Sequence, residues 1–199
     1  MFDSLFEQIQ HPNLDFLLEA IAVITAIIYV WLAARSNYWC FLFGFISSAV
    51  YVYICFQFKL YFDVIINLFY LLMSVIGWVS WKNNTEDNIL QIFSMNKREF
   101  WKLIALGISI TILLAAIATH FSDASLPYLD AFTTVFGIIA TILVIQRKIE
   151  NWLIWIAVDI VAISMYFYKG LQLTALLFLI YTIIAISGYI SWKKQLNHD

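Results

Sequence analysis

An acidic residue, Asp159, lies in the middle of an apolar stretch, residues 152–166, that is of near membrane-spanning length. A carboxylate at that depth costs about 2.5–3.5 kcal/mol on insertion scales, so it requires a partner, a water-filled cavity or a cationic ligand. Trp152, Trp155 and Tyr166 follow the same helical face. The pattern predicts a binding site for a flat cation. A hydrogen bond from Asp159 to a neighbouring helix is the structural alternative.

A second group of candidate substrate-binding residues lies on an earlier apolar stretch. Asn67, Ser74 and Trp78 have the spacing i, i+7 and i+11, which places them along one face of a helix, and Tyr70 lies next to that face. An amide in hydrocarbon needs hydrogen-bond partners, so Asn67 is predicted to contact either the ligand or another helix. The Ser74 hydroxyl has the further alternative of bonding the backbone one turn earlier.

Two residues near the end of the chain, Tyr181 and Ser187, complete the predicted substrate-binding set. Their spacing of six residues places them on different faces of a helix, and Tyr181 is expected to lie deeper. Glu19 and Asp130 occupy matching positions near the starts of two apolar stretches. They are interpreted as solvated helix starts, where acids favour the helix dipole, with a negative vestibule for cations as the alternative.

The composition indicates an integral membrane protein. Hydrophobic residues make up 63% of the 199 residues and charged residues only 12%, whereas soluble domains contain roughly half and a quarter. About 20 apolar residues cross a bilayer as a helix. The sequence predicts an all-α fold with seven such helices, near residues 14–34, 38–57, 60–81, 100–120, 127–146, 150–168 and 171–192.

The basic residues are distributed unevenly between the two predicted faces. Only Lys59 and Lys169 lie on one face, and the other nine lie on the opposite face: Arg35, Lys82, Lys97, Arg98, Lys102, Arg147, Lys148, Lys193 and Lys194. Because cytoplasmic loops carry the excess of Lys and Arg, we expect the N-terminus outside and the C-terminus in the cytoplasm.

The chain contains an internal duplication at an offset of 111 residues. The segment Gly77-Trp-Val-Ser-Trp-Lys82 is echoed by Gly188-Tyr-Ile-Ser-Trp-Lys193. With a two-residue loop adjustment, Trp39 is expected to pair with Trp152 and Tyr53 with Tyr166. We therefore predict a single transmembrane domain over 1–199, with three-helix repeats at 14–81 and 127–192 and a linker helix at 100–120. Because one helix links the two three-helix repeats, both repeats have the same orientation in the membrane. Transporters built from such parallel repeats bind their substrate between the repeats.

The sequence contains few residues suited to catalysis. No histidine lies clearly inside a predicted span, and His11, His120 and His198 are too scattered to bind a metal together. Ser47 has no G-x-S-x-G context, and the chain lacks a nucleotide-binding G-x-x-x-x-G-K-[ST] loop. We predict no enzyme activity, cofactor, metal site or nucleic-acid partner. A non-transporting receptor or assembly subunit is the remaining rival to a carrier.

Two motifs together resemble the PnuC-type vitamin transporter family. They are Asp63-x3-Asn67-x2-Tyr70-x6-Gly77-Trp78-x2-Trp81 and Glu150-Asn151-Trp152-x2-Trp155-x3-Asp159. The likeness runs from about residue 15 to 194. It implies a three-plus-one-plus-three helix architecture related to SWEET sugar carriers and a homotrimer in the bacterial inner membrane. It also implies facilitated diffusion of nicotinamide riboside, thiamine or riboflavin.

The choice of vitamin rests on departures from the nicotinamide riboside pattern. This chain resembles that branch but differs from it at three positions. The branch carries Gln where this chain has Asn67, and often Asn where it has Asp159 and Ser187. The departures resemble the thiamine-carrying branch, often called PnuT. A thiazolium cation suits an anion with aromatic faces, and such cation–π contacts contribute about 0.5–2 kcal/mol. We expect thiamine uptake with trapping by cytosolic phosphorylation, and nicotinamide riboside is the alternative.

Overall fold

The structure is a computed structural model that describes residues 14–83, 85–86, 89–121 and 126–197. Its helices are α1 (Leu14–Ala34), α2 (Cys40–Gln57), α3 (Tyr61–Asn83), α4 (Lys97–Phe121), α5 (Pro127–Ile145), α6 (Asn151–Tyr168) and α7 (Gln172–Leu196). Within the described chain, seven helices are long and apolar enough to cross a membrane. The predicted all-α membrane fold is confirmed, and the predicted helix ends differ from the observed ones by three residues or fewer at most positions.

The polar stretch between α3 and α4 contains short extended segments that the sequence does not signal. Two-residue strands, β1 (Thr85–Glu86) and β2 (Ile89–Leu90), pair in antiparallel fashion. Beyond them, Phe93 forms an isolated parallel bridge with Lys148 in the α5–α6 turn. The stretch therefore has a backbone partner at the end of α5.

The chain divides into two compact units, which are described separately. Among the described residues, the first contains 14–33 together with 37–82, and the second contains 34–36 together with those from 83 onward. The predicted linker helix α4 belongs to the second unit. There it packs against α5 in an apolar core, with Phe100, Leu103 and Ile104 against Phe136, Ala140 and Leu143.

The helices of the two units repeat without a gap at the 111-residue offset. Helices α2 and α6 both contain 18 residues and begin and end at equivalent positions. The non-glycine residues Ser36 and Arg147 share a positive φ, and so do Lys59 and Gly170 at the next turn. Each pair is 111 residues apart, so the two helix turns of one repeat have the backbone conformation of the other.

This gapless repeat corrects one prediction. Trp152 corresponds to Phe41 rather than Trp39, and no loop adjustment is needed because both turns have the same length. The Phe41 ring lies edge-on to Trp81 at 4.9 Å and 86°, and the Trp152 ring lies edge-on to Trp192 at 5.5 Å and 87°. The predicted pairing of Tyr53 with Tyr166 is wrong for the same reason, since Cys55 occupies the equivalent position.

Candidate functional site

Helix α6 presents the predicted cation-binding residues on its buried side. Trp152 is 1% exposed and Asp159 is 3% exposed, while Trp155 is half-buried. Trp155 packs against the apolar cluster that includes Phe136, Ala140 and Val158. The spacing that placed these residues on one face is therefore reproduced, because a helix of 3.6 residues per turn returns to that face every three to four residues.

The Trp152 ring is fixed by a close approach to α7. A Cβ atom on Gly188 would lie 2.7 Å from Cζ2 of Trp152, so only a glycine leaves room for the indole. The edge of Trp192 encloses the same ring from another side. The buried Nε1 of Trp152 has no hydrogen-bond acceptor in the described part of the chain. An indole N–H in this state is a donor available to a ligand or a water.

Asp159 is buried without a counter-charge among the described residues. No hydrogen bond or ion pair of its carboxylate is found there, and the interhelical bond that the sequence left open is not seen in the described ranges. Burying an ionised carboxylate without partners is strongly unfavourable. Asp159 shares its helix face with Trp155 and Trp152, and the binding of a cationic ligand on this face stays a prediction.

The candidate tyrosines of the second unit meet through a residue that the sequence analysis missed. Tyr166 stacks on Phe178 with ring centroids 5.3 Å apart and planes at 17°. Tyr181 meets the same ring edge-on, with the centroids 5.8 Å apart. Phe178 lies three residues before Tyr181 on α7, so the i−3 spacing was the signal that could have identified it.

Ser187 lies apart from the other candidates. Its side chain is exposed on the face of α7 that carries Ile183 and Ile190, which are 61% and 50% exposed. In a membrane-spanning helix this is the face turned away from the core of its own unit. The role of Ser187 in substrate binding stays a prediction.

In the first unit, the polar candidates on α3 make local bonds. Asn67 Nδ2 donates to the carbonyl oxygen of Asp63 at 2.8 Å, and Ser74 Oγ donates to the carbonyl oxygen of Tyr70 at 2.9 Å. These are the backbone bonds one turn earlier that short polar side chains commonly form in helices. Tyr70 and Asn67 are half-buried, whereas Ser74 is buried.

Trp78 is part of an aromatic group at the end of α3 and borders a small groove. Its ring meets Trp39 edge-on at 4.8 Å and Tyr38 at 5.3 Å. The groove has a volume of about 200 Å³, and its lining is Phe41, Leu42, Phe45, Ser74, Val75, Trp78 and Val79. Ser74 and Trp78 are thus brought together, but the lining of the groove includes no charged side chain from the described residues. That residues of both units bind one substrate stays a prediction.

Asp130 lies in the first turn of α5, as the sequence favoured, and it also pairs with a lysine. Its Oδ1 lies 3.1 Å from Lys169 Nζ, so the first turn of α5 is paired with the α6–α7 turn. Both side chains remain partly exposed, at 41% and 27%. A pair of this exposure is a weak link, and its negative charge is partly offset by the lysine.

Comparisons with known proteins assign the chain to a family. Over 195 residues it is 29% identical to the nicotinamide riboside transporter PnuC of Neisseria mucosa, and the match covers 92% of this chain and 74% of that protein. It is 22% identical to the nicotinamide riboside transporter PnuC of Escherichia coli, over 88% of this chain and 84% of that one. A crystal structure of the vitamin B3 transporter PnuC resembles it with a TM-score of 0.76 and 27% identity, over 98% of this chain and 87% of the other.

The family model described as nicotinamide mononucleotide transporter matches residues 16–194, which is nearly the whole chain. The matched region includes every candidate substrate-binding residue. Together with the seven apolar helices, this match indicates a membrane transporter. The chain belongs to this family, that of the PnuC-type vitamin transporters, and is a multi-pass inner-membrane transporter rather than an enzyme.

Proposed function

We propose that the protein takes up nicotinamide riboside across the inner membrane. The observation that carries the proposal of a cationic vitamin is the buried Asp159 carboxylate, which has no partner among the described residues. Nicotinamide riboside is a pyridinium cation, so its charge complements this acid and its flat ring suits Trp152 and Trp155. The names of the relatives support this vitamin over the thiamine expected from the sequence.

Thiamine is the second candidate, and the identity of residue 159 favours it. The nicotinamide riboside pattern that this chain resembles often carries an amide there, which suits a carboxamide, whereas this chain carries a carboxylate. An acid binds the thiazolium charge and accepts a hydrogen bond from the aminopyrimidine. Asn67 and Ser187 also depart from that pattern, although the Asn67 amide donates to the backbone of its own helix.

Transport is proposed to be facilitated diffusion. The carrier exposes the bound cation alternately to each side of the membrane. Phosphorylation in the cytosol then traps the vitamin, because the product is too polar to return, and net uptake results. Weak binding is compatible with this scheme because a site that holds its ligand too tightly releases it slowly. A homotrimer, with each N-terminus outside and each C-terminus in the cytoplasm, completes the proposal.

Uptake into proteoliposomes with labelled nicotinamide riboside and labelled thiamine tests the substrate. We expect saturable uptake of nicotinamide riboside, and Asp159→Asn should raise its half-saturation concentration, because the substitution removes the carboxylate that complements the pyridinium charge. The control is Asp130→Asn, which removes a partly exposed acid that already has a lysine partner. Saturable uptake of thiamine alone, abolished by Asp159→Asn, would replace the first candidate by the second.

The proposed orientation of the termini and the proposed homotrimer are tested by separate measurements. Protease accessibility of N- and C-terminal tags in right-side-out vesicles should expose only the N-terminal tag. Native mass spectrometry in detergent should give three times the mass of 23.1 kDa. A monomer under conditions that preserve uptake would remove the trimer from the proposal and leave the transport assignment unchanged.

A further inference from the structure

Glu150 makes contacts that substrate binding does not explain. Its carboxylate is buried, and Oε1 accepts hydrogen bonds from Ser94 Oγ at 2.6 Å and from the Met95 backbone N–H at 2.8 Å. Although Glu150 precedes α6, its side chain makes no capping bond to that helix. The carboxylate instead holds the segment that follows β2.

That segment, together with the last residue of β2, is here called the strap and comprises residues 90–96. Leu90 and Ile92 anchor it, being 1% and 4% exposed. The backbone of Phe93 bonds on both sides, donating to Arg147 O at 2.9 Å and accepting from Ile149 N at 2.9 Å. The strap therefore lies across the α5–α6 turn, and Glu150 fastens its far end.

A third attachment joins the strap to α7. Gln195 Nε2 donates to the carbonyl oxygen of Leu90 at 2.6 Å. The strap thus contacts the turn before α6 and the last turn of α7, the two helices between which the Trp152 ring is enclosed. Glu150 is two residues from Trp152, so a shift of the turn moves the start of α6 and the ring with it.

The internal repeat shows that the turn does not need this carboxylate to fold. The equivalent turn of the first repeat has the same positive φ at Ser36 and the same bond closing it, from Asn37 N to Leu32 O at 3.1 Å. Trp39 occupies the position equivalent to Glu150. A turn of the same backbone conformation therefore forms with an indole in place of the acid, and the acid is an addition specific to the second repeat.

We propose that Glu150 is a positioning residue, which by fastening the strap fixes the start of α6 and so the placement of Trp152 and Asp159. The proposal rests on the proposed function in that these two residues bind the vitamin. The neutral isostere Glu150→Gln keeps an oxygen for both donors. It also replaces Oε2, which is buried without a partner among the described residues, by a neutral group.

The test compares Glu150→Ala, Glu150→Gln and the milder Ser94→Ala in the full-length protein. Hydrogen exchange of residues 90–96 and 150–155 reports positioning without any substrate, and proteoliposome uptake of nicotinamide riboside and thiamine reports binding. Thr141→Val is the matched control, because its hydroxyl is similarly buried but bonds only its own helix at Gly137 O.

For Glu150→Ala we expect at least roughly tenfold faster exchange in both segments and a roughly tenfold higher half-saturation concentration at similar maximal rate. For Ser94→Ala we expect the exchange rates and the half-saturation concentration each to rise about twofold to threefold. Glu150→Gln and Thr141→Val should match the parent protein in both measurements. Faster exchange confined to 90–96, an unchanged half-saturation concentration, or a Glu150→Gln variant as impaired as Glu150→Ala would overturn the proposal. If the parent protein carries neither vitamin, the proposed function fails, while the exchange of 150–155 still decides the positioning role.

Discussion

Replacing Gly188 by alanine tests the packing of the candidate site most directly. The added Cβ would lie 2.7, 2.8 and 2.9 Å from Cζ2, Cε2 and Cδ2 of Trp152, distances at which one group must move. The indole is 1% exposed and enclosed by Trp192, so it has little space into which it can shift. The clash therefore acts on the residue predicted to contact the substrate.

The expected loss of unfolding free energy in Gly188→Ala is the difference between the cost of overpacking and the gain in helix propensity. Overpacking of this kind costs about 1–3 kcal/mol, and the rigidity of the enclosed indole places Gly188→Ala near the upper limit. Alanine gains about 1 kcal/mol over glycine in a helix interior. The net loss is about 2 kcal/mol, and at roughly 2–4 °C per kcal/mol for a chain of this size it lowers Tm by about 4–8 °C.

The assay is thermal unfolding in detergent, combined with a double-mutant cycle. Trp152→Ala removes the ring atoms that would clash, so Gly188→Ala should cost at least about 1 kcal/mol less in the Trp152→Ala background. Gly77→Ala is the counterpart in the other repeat and should also destabilise, because its Cβ would overlap the Phe41 ring. Gly44→Ala, in the interior of α2, is the milder comparison, since the nearest atom to its Cβ position is Cδ2 of Tyr29 at 3.0 Å.

The outcome that refutes this reasoning is an unchanged or raised Tm for Gly188→Ala, which is what helix propensity alone would give. Equal costs of Gly188→Ala in the parent protein and in the Trp152→Ala variant would also refute it, because the two side chains would then not interact. Uptake measured on the same samples should show a higher half-saturation concentration for Gly188→Ala, since the displaced indole is a candidate contact of the vitamin.

Three further outcomes are expected from the same stability measurements. Asp159→Asn should raise the unfolding free energy by at least about 1 kcal/mol at neutral pH, and Tm with it. The reason is that it removes a buried charge that has no partner among the described residues. A lowered Tm would indicate a counter-charge. Lys169→Met should change the unfolding free energy by less than about 1 kcal/mol, and less still at high salt, since its pair with Asp130 is partly exposed. Ser47→Ala should cost about 0.5–1.5 kcal/mol, because its buried hydroxyl donates to Ala22 O of α1 at 2.9 Å, and a neutral result would mean that a water replaces this bond.

The sequence by itself determined the seven helices and the buried face of α6. Helix length follows from the apolar runs, because every backbone polar group in hydrocarbon must be bonded within its own helix. The 3.6-residue period then placed Trp152, Trp155 and Asp159 on one face, as observed. The duplication was also visible, since its Gly, Trp and Lys residues recur at a fixed offset.

The alignment of the repeats was decided only by the tertiary structure. Matching tryptophan to tryptophan paired Trp39 with Trp152, but the ring that fills the space over the glycine in the first unit is Phe41. Packing selects for the volume and shape of a side chain at a site, so a different aromatic residue can fill the equivalent position. Matching by residue identity therefore produced an alignment that was wrong by two residues in this helix.

The contacts of Glu150 were likewise decided only by tertiary structure. Ser94 and Glu150 are separated by 56 residues, and no local pattern indicates which loop a carboxylate will reach. Helix periodicity assigns a direction to each side chain, but the partner it meets depends on how helices and loops pack. Local backbone bonding thus fixed the elements of this carrier from sequence, whereas the three-dimensional packing of those elements determined which side chains hold its candidate site in place.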